Sequence, residues 1–324
     1  MDRISDKDLE RPYIIEARDL TKSFDGRLAV NSMDMDIPDG VILGLIGPSG
    51  CGKTTTIRLM TGIYQPTDGD IRVFGKDPMR FSSSDRENIG YLLQQNIINP
   101  DLTVWENLNF VASFYGVGWF RSGTLNHLLE FVELTEDKHK IAQYLSGGMK
   151  RRLGLAATLV HNPKLLFLDE PTAGIDPILR AKFWDYFKKL QAEGHTLIIT
   201  TQYVGEAQYC DLVGIMSNGA LLMVDTPQEL RRKAFGGEVV VITTNERIEF
   251  VHRRKFEDLP SGKARVFPIN DNEIEIVVPE ANSAIPHLII ICEQEGLDAK
   301  KVEKKDPPFD EVFIRLIEMQ VKDE

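Results

Sequence analysis

The sequence predicts an α/β fold in which a parallel sheet carries an antiparallel β-ribbon and a helical insertion, followed by a small α+β domain. Three observations predict it. The apolar run Val41 to Ile46 passes directly into a glycine-rich loop and then into a helical pattern. Leu165 to Leu168 and Thr196 to Thr200 are short apolar runs separated by a helical stretch, the rhythm of buried parallel strands joined by a crossover. The composition then shifts at Arg231 to Gly237, a basic segment ending in two glycines, after which a new set of elements begins. A chain of 324 residues has room for two domains.

Taken in order, residues 1–12 form a charged tail. Three strands follow, Tyr13 to Ala17, Ala29 to Met35 and Val41 to Ile46, with turns at Asp25-Gly26 and Asp39-Gly40. Thr54 to Thr61 reads as a helix, and Asp70 to Phe74 as a strand after a turn at Pro66 to Gly69. Residues of about 95–150 carry few strand signals and good helical periodicity, notably Val104 to Tyr115 and Thr124 to Leu134. Ile178 to Glu193 is the crossover helix. The first domain is thus expected over 13–230, a linker over 231–237 and the second domain over 238–324. In the latter, Glu238 to Thr243, Lys263 to Ile269 and Glu273 to Val278 read as strands, the last two joined at Asp271-Asn272. Ser283 to Glu295 and Phe309 to Met319 read as helices, with Val312, Phe313, Leu316 and Ile317 on one apolar face.

Composition narrows the function. With 42% hydrophobic and 27% charged residues the chain is an ordinary globular protein. Its aliphatic runs fall well short of the roughly 20 residues that cross a bilayer, and the charged start MDRISDKDLE lacks the apolar stretch of a secretory signal. A cytoplasmic protein is expected. Cys51, Cys210 and Cys292 are scattered without paired spacing, which suggests neither disulfides nor zinc. A net charge of −11 opposes nucleic acid as a partner, because neutralising phosphates needs basic surface. Lys150, Arg151 and Arg152 could form a local basic patch, although such a run is usually a solvated helix face.

Three motifs carry chemistry. Gly47-Pro48-Ser49-Gly50-Cys51-Gly52-Lys53-Thr54 fits the phosphate-loop pattern, in which glycines let successive N–H groups converge on phosphate oxygens at a helix start. Lys53 would meet the β- and γ-phosphates, Thr54 would ligate Mg²⁺, and Thr55 follows them on the helix. Asp169-Glu170 ends the strand beginning at Leu165, where ligands gather in open α/β sheets. There Asp169 would hold Mg²⁺ and Glu170 would orient or deprotonate an attacking water, although acidic pairs after strands also serve merely as helix caps. Leu145-Ser146-Gly147-Gly148 is a second glycine-bearing helix start.

The ordered set resembles the ATP-binding cassette proteins of ABC transporters: the phosphate loop, Gln94 before a helical insertion, the Leu145 to Gly148 signature, Asp169-Glu170, and Gly174-Ile175-Asp176-Pro177. The likeness covers about Tyr13 to Asp225. It implies a RecA-like ATPase core that binds ATP and Mg²⁺ and forms a head-to-tail dimer, with Ser146, Gly147 and Gly148 of one subunit closing over the γ-phosphate held by the other. It also implies Asp176 at that interface, adenine stacked on Phe24, and Gln94 linking Mg²⁺ and water to the membrane subunit. Phe24 could equally be a core aromatic, and because Leu93 replaces the usual proline and Gln95 is adjacent, the register at Gln94 could be off by one. The partners implied are a second copy of the chain and integral membrane permease subunits at the cytoplasmic face of the membrane.

Two positions depart from the family pattern. Met149 stands where many members have glutamine, and Gln202 where most have the histidine that senses γ-phosphate. Glutamine donates a hydrogen bond but carries no proton at neutral pH, so the switch could be weakened. The segments Gly147 to Arg152 and Thr200 to Tyr203 nevertheless resemble those of drug-resistance exporter ATPases of the daunorubicin type, which supports an active ATPase with Glu170, Gln202 and Lys53 as its catalytic residues. Pro308 to Phe313 resembles the end of the C-terminal domain of these ATPases. His195 precedes its strand and is expected as an exposed turn residue. Two rivals stand: a soluble cassette protein acting on DNA or ribosomes, and a nucleotide-dependent regulatory module without turnover. The first predicts basic surface, the second rests on Gln202.

Overall fold

A computed structural model describes residues 12–93, 98–118, 120–260 and 262–323. The chain divides into two compact units, the first running through Val224 and the second starting at Asp225. The first unit begins with a ribbon of β1 (Tyr13–Phe24) and β2 (Arg27–Pro38), paired antiparallel. Asp25 and Gly26 connect them, both at positive φ (49° and 78°), the turn that matches the right-handed twist of a hairpin. β1 extends well past the expected Ala17. A register shift after Ala17, with Asp19 at φ 50°, absorbs the irregular stretch and lets pairing resume at Leu20.

β3 (Ile42–Ile46) is wholly buried and leads into α1 (Lys53–Met60), then β4 (Asp68–Val73), which returns to the ribbon on the free edge of β1. After the short α2 (Ser83–Arg86) and β5 (Ile89–Leu92) come the helices α3 (Val104–Phe114), α4 (Ser122–Phe131) and α5 (Gly147–Leu159). β6 (Leu165–Asp169), α6 (Pro177–Ala192) and β7 (Thr196–Thr201) complete the crossover, and β8 (Leu212–Ser217) and β9 (Ala220–Asp225) close the element list of this unit. The main sheet has the order β5-β6-β7-β3-β8-β9, parallel from β5 through β8. β8 and β9, which the sequence reading passed over, meet at Asn218-Gly219, again both at positive φ (48° and 84°).

The second unit starts with α7 (Pro227–Phe235) and β10 (Glu238–Thr244), followed by α8 (Phe250–Lys255) and the short pair β11 (Asp258–Leu259) and β12 (Gly262–Lys263). β13 (Arg265–Asn270), β14 (Glu273–Val278), α9 (Ala281–Gln294), β15 (Ala299–Lys305) and α10 (Phe309–Asp323) complete it. Its sheet, β13-β14-β10-β15, is antiparallel throughout. Val240, Ile242, Ile274 and Ile276 pack with Leu288 and Cys292 of α9 in its core. Val312 and Leu316 of α10 are buried, while Phe313 and Ile317 are half-buried.

The linker expected over 231–237 is instead the second half of α7 and its glycine terminus, and the division falls earlier. Thr226 caps the helix through its side chain, Pro227 opens it, and Gly236 ends it at φ 68°. Arg231, Arg232 and Lys233 are basic because they lie near a helix C-terminus, where cations are favoured, and not because the chain is unstructured there. Arg315 of α10 stacks over Phe235, and Arg231 lies over Phe309, so α7 packs within the second unit.

Candidate functional site

The phosphate loop lies between β3 and α1, and its glycines are required by close approaches. A Cβ on Gly52, at φ 111°, would fall 2.4 Å from the carbonyl oxygen of Ala29, and one on Gly47 would fall 2.3 Å from that of Met216. Pro48, Ser49 and Gly50 are exposed, whereas Cys51 and Lys53 are buried. The Lys53 ammonium lies inside the loop, donating to the carbonyl oxygens of Gly47 at 2.7 Å and Pro48 at 2.9 Å. The first N–H groups of α1, including those of Thr54 and Thr55, have no partner within the helix, and its first turn carries no acidic side chain. Such a helix start attracts anions.

Parallel register brings the acidic pair to this loop. Ile46 is level with Thr201, and Thr200 with Asp169, so Gly47, Glu170 and Gln202 leave three neighbouring strands at one edge. Asp169 is almost fully buried; its Oδ1 accepts from Thr200 Oγ1 at 2.5 Å and lies 3.3 Å from Thr54 Oγ1. Its Oδ2 is buried without a hydrogen-bond partner, which fits a site for a hard cation or its water shell. Among the described residues no cluster of three histidine, cysteine or acidic side chains forms a metal cage. Glu170 adopts φ 52°, and its N–H is held by both the carbonyl and the hydroxyl of Thr200, at 3.0 and 3.1 Å. A non-glycine residue in this region costs on the order of 1–3 kcal/mol and persists only when its surroundings impose it. Here Thr200 imposes it.

Ser146 is the N-cap of α5, its hydroxyl oxygen accepting from the Met149 N–H at 3.2 Å. Because the hydroxyl caps as an acceptor, its proton stays available for an anion. Ser146 and Gly147 are exposed, Gly148 half-buried, and the first turn again has no acidic residue. Asp176 is exposed and caps α6, accepting from Ile178 and Leu179 N–H, which hold its carboxyl below the usual range, Leu179 foremost.

The basic run on α5 is not a solvated face. Arg151 is buried, and its guanidinium donates to the main-chain carbonyls of Leu93 and Asp169. Burial lowers its pKa, while the charges of Asp169 and Glu170 oppose that shift. Arg152 donates to the carbonyls of Val132 and Glu133, and Lys150 to that of Gln143 at 3.1 Å. Arg151 thus ties the helix headed by Ser146 to the strand that ends in Asp169. Sequence reasoning missed it because three consecutive basic residues give no sign which one points inward. Thr200 was also missed, although a threonine amid the buried apolar residues of β7 signals a polar partner.

Gln202 is exposed immediately after β7. Phe24, at the end of β1, is 41% exposed, and its ring meets that of Tyr64 edge-on at 5.2 Å with Lys22 over it; it is not a core aromatic. Gln94 lies outside the described residues. His195 is not exposed: it is buried, with Nδ1 2.7 Å from the Pro163 carbonyl, because the strand start it precedes is covered by the loop before β6. No helix among the described residues is long and apolar enough to cross a membrane.

Comparison with known proteins agrees with this geometry. Residues 30–173 match the family model described as ABC transporter. The chain is 31% identical to the daunorubicin resistance ATP-binding protein DrrA3 of Streptomyces coeruleorubidus, over 91% of this chain and 93% of that protein. It is 36% identical to the probable multidrug ABC transporter ATP-binding protein YbhF of Escherichia coli (strain K12), over 69% of this chain but only 39% of that relative, of which it spans about two fifths. A solved structure described as the ATP binding subunit of an ABC transporter superposes with a TM-score of 0.64 at 25% identity, over 69% of this chain and 93% of that one. A phosphate loop against a buried aspartate, a second glycine-headed helix, and a near full-length match to an ATP-binding protein converge: the chain belongs to the ABC transporter family, among its ATP-binding proteins.

Proposed function

We propose that this protein is an ATP-hydrolysing subunit that energises export through separate membrane permease subunits, working as a head-to-tail homodimer on the cytoplasmic face of the membrane. The observation that carries the reading is the pairing of Thr54 with buried Asp169, whose second carboxylate oxygen has no protein partner. Thr54 and Asp169 would hold Mg²⁺, which when bound neutralises charge on the β- and γ-phosphate oxygens. Lys53 exchanges its loop carbonyls for those oxygens, and Gly47 to Thr55 supply N–H groups around them. Phe24 stacks the adenine. Glu170 orients the attacking water and takes its proton, a role worth about 10²- to 10⁴-fold in rate. Ser146, Gly147 and Gly148 of the second copy close the site, with Asp176 beside them, while Gln202 senses the γ-phosphate and Gln94 links Mg²⁺ and water to the permease. Export as the direction of transport is supported by relatives named for drug resistance. The exported substance is selected by the permease.

The experiment is steady-state phosphate release from the wild type and Glu170→Gln, with size-exclusion in Mg-ATP. Turnover in the wild type, a loss of two or more orders of magnitude in the variant and an ATP-dependent dimer that persists in it are expected. Near-normal turnover in Glu170→Gln would refute the assignment of the base. A wild type that binds ATP without releasing phosphate would favour the regulatory-module reading.

A further inference from the structure

Glu206 lies in the 3-10 turn Val204–Tyr209 that follows β7 and is 3% exposed. Its Oε1 accepts from Thr172 Oγ1 at 2.8 Å and its Oε2 from Thr201 Oγ1 at 2.6 Å. Both threonines are themselves buried. Arg180 of α6 stands 3.6 Å from Oε1, stacks over the Tyr203 ring at 4.2 Å and donates to the Ile175 carbonyl at 3.3 Å. Thr201 Oγ1 also accepts from the Tyr203 N–H at 3.0 Å.

These partners are not a random sample of the core. Thr172 lies two residues beyond Glu170, Thr201 immediately precedes Gln202, and Arg180 sits one turn into the helix that Asp176 caps. We propose that Glu206 is a positioning residue for ATP turnover, clamping the segments that carry Glu170, Gln202 and Asp176 into one rigid edge. The inference rests on the ATPase reading above.

Stability alone is a poor reason to bury this carboxylate. A hydrophobic replacement of a buried charged pair is often neutral or stabilising, whereas an ion pair with donors from three segments fixes their mutual placement. Placement is what the chemistry needs, since about 1 Å of misalignment of reacting groups costs on the order of 10²-fold in rate. Gln202 makes the demand sharper. An amide has no titratable proton to exchange, so it acts on the γ-phosphate through position alone, and the Thr201 hydroxyl, shared between Glu206 and the Tyr203 N–H, pins the backbone on both sides of it.

The test is Glu206→Gln, alone and combined with Gln202→Ala, measured by phosphate release, ATP binding and thermal melting. Glutamine keeps the volume and one acceptor but removes the charge facing Arg180. The single variant should lose roughly 10-fold in kcat with KM and ATP binding within about twofold, as expected when an interaction matters only in the transition state. On the Gln202→Ala background the same change should cost less than it does alone, because the share carried through Gln202 is already lost while the share carried through Glu170 remains. An unchanged kcat, or a fall in kcat matched by an equal loss of ATP binding, overturns the proposal. If Glu206→Gln fails to fold, Thr201→Val deletes one clamp hydroxyl at constant volume and is put through the same cycle with the same criteria. A wild type without phosphate release would remove the ATPase reading itself, which separates the two failures.

Discussion

Replacing Arg151 by methionine tests whether the helix headed by Ser146 is mechanically tied to the strand that ends in Asp169. The guanidinium is buried and donates to the carbonyls of Leu93 and Asp169, at the ends of two neighbouring strands. Hydrogen bonds from a charged donor contribute about 1.5–3 kcal/mol each, and methionine would leave both carbonyls without one. Against this stands the cost of burying the charge, visible in the downward push on its pKa, which methionine removes. The balance is a net loss of about 3 kcal/mol. For a domain of this size that is roughly 6–12 °C in melting temperature. Arg151→Lys should recover little, since a single ammonium cannot span two carbonyls as a planar fork does. Lys150→Met is the control: its bond to the Gln143 carbonyl is made from a partly exposed position, and the shift should stay below about 2 °C. Differential scanning fluorimetry on the three variants reads the outcome. Equal shifts for Arg151→Met and Lys150→Met would refute the tie.

Two further outcomes follow from burial and charge. The chain has three cysteines, all buried, and burial pushes the thiols of Cys210 and Cys292 up, the latter to about 11, so a maleimide at neutral pH should label Cys51 first. One label per chain by mass spectrometry, loss of ATP binding and protection by ATP are expected, because the Cys51 sulfur lies within 2.6 Å of where a Cβ on Gly47 would sit; full labelling with intact binding refutes this. Asp85, in the capping box that starts α2, is bonded to Lys76 and Ser82, which lower its pKa to about 2 from 3.8. A lowered carboxylate pKa stabilises the fold above the unfolded value and loses that contribution as pH falls through the folded one, so the cap should hold at pH 4 and fail between about 3.8 and 2. An NMR titration of Asp85 with an ordinary midpoint would contradict it.

The legible part of this protein is contiguous. The phosphate loop can be read because the glycines that converge backbone N–H groups, the lysine and the threonine must follow one another in a single turn. Asp169-Glu170 can be read as a candidate because the pair ends a buried apolar strand, where ligands gather in open α/β sheets. The same local range holds further signals: Asn218-Gly219 between β8 and β9, and Thr226-Pro227 with Glu229 at the start of α7, the helix in which the basic segment lies. β15 is different in kind. Its Lys300, Lys301, Glu303, Lys304 and Lys305 give no apolar alternation, because an edge strand shows solvent one face and is kept from further pairing by charge.

Of what holds the site together, Thr200 carries a signal in its own stretch; the rest does not, and the reason is sequence distance. Arg151 reaches Asp169 across 18 positions, and Glu206 reaches Thr172 across 34. Locally, each is a charged residue in a stretch that would suit solvent. His195, expected in a turn and found buried against the Pro163 carbonyl 32 positions away, belongs with them. In each case a polar side chain is internal because a distant carbonyl or hydroxyl satisfies it, and that partner is supplied by the sheet order β6-β7-β3, which no window of sequence contains. Residues that touch phosphate must be of fixed type and spacing; residues that position them need only be of complementary polarity once the strands are laid side by side. The first kind survives in a motif, and the second becomes visible when register places Asp169 beside Thr200 and Thr201 beside Ile46.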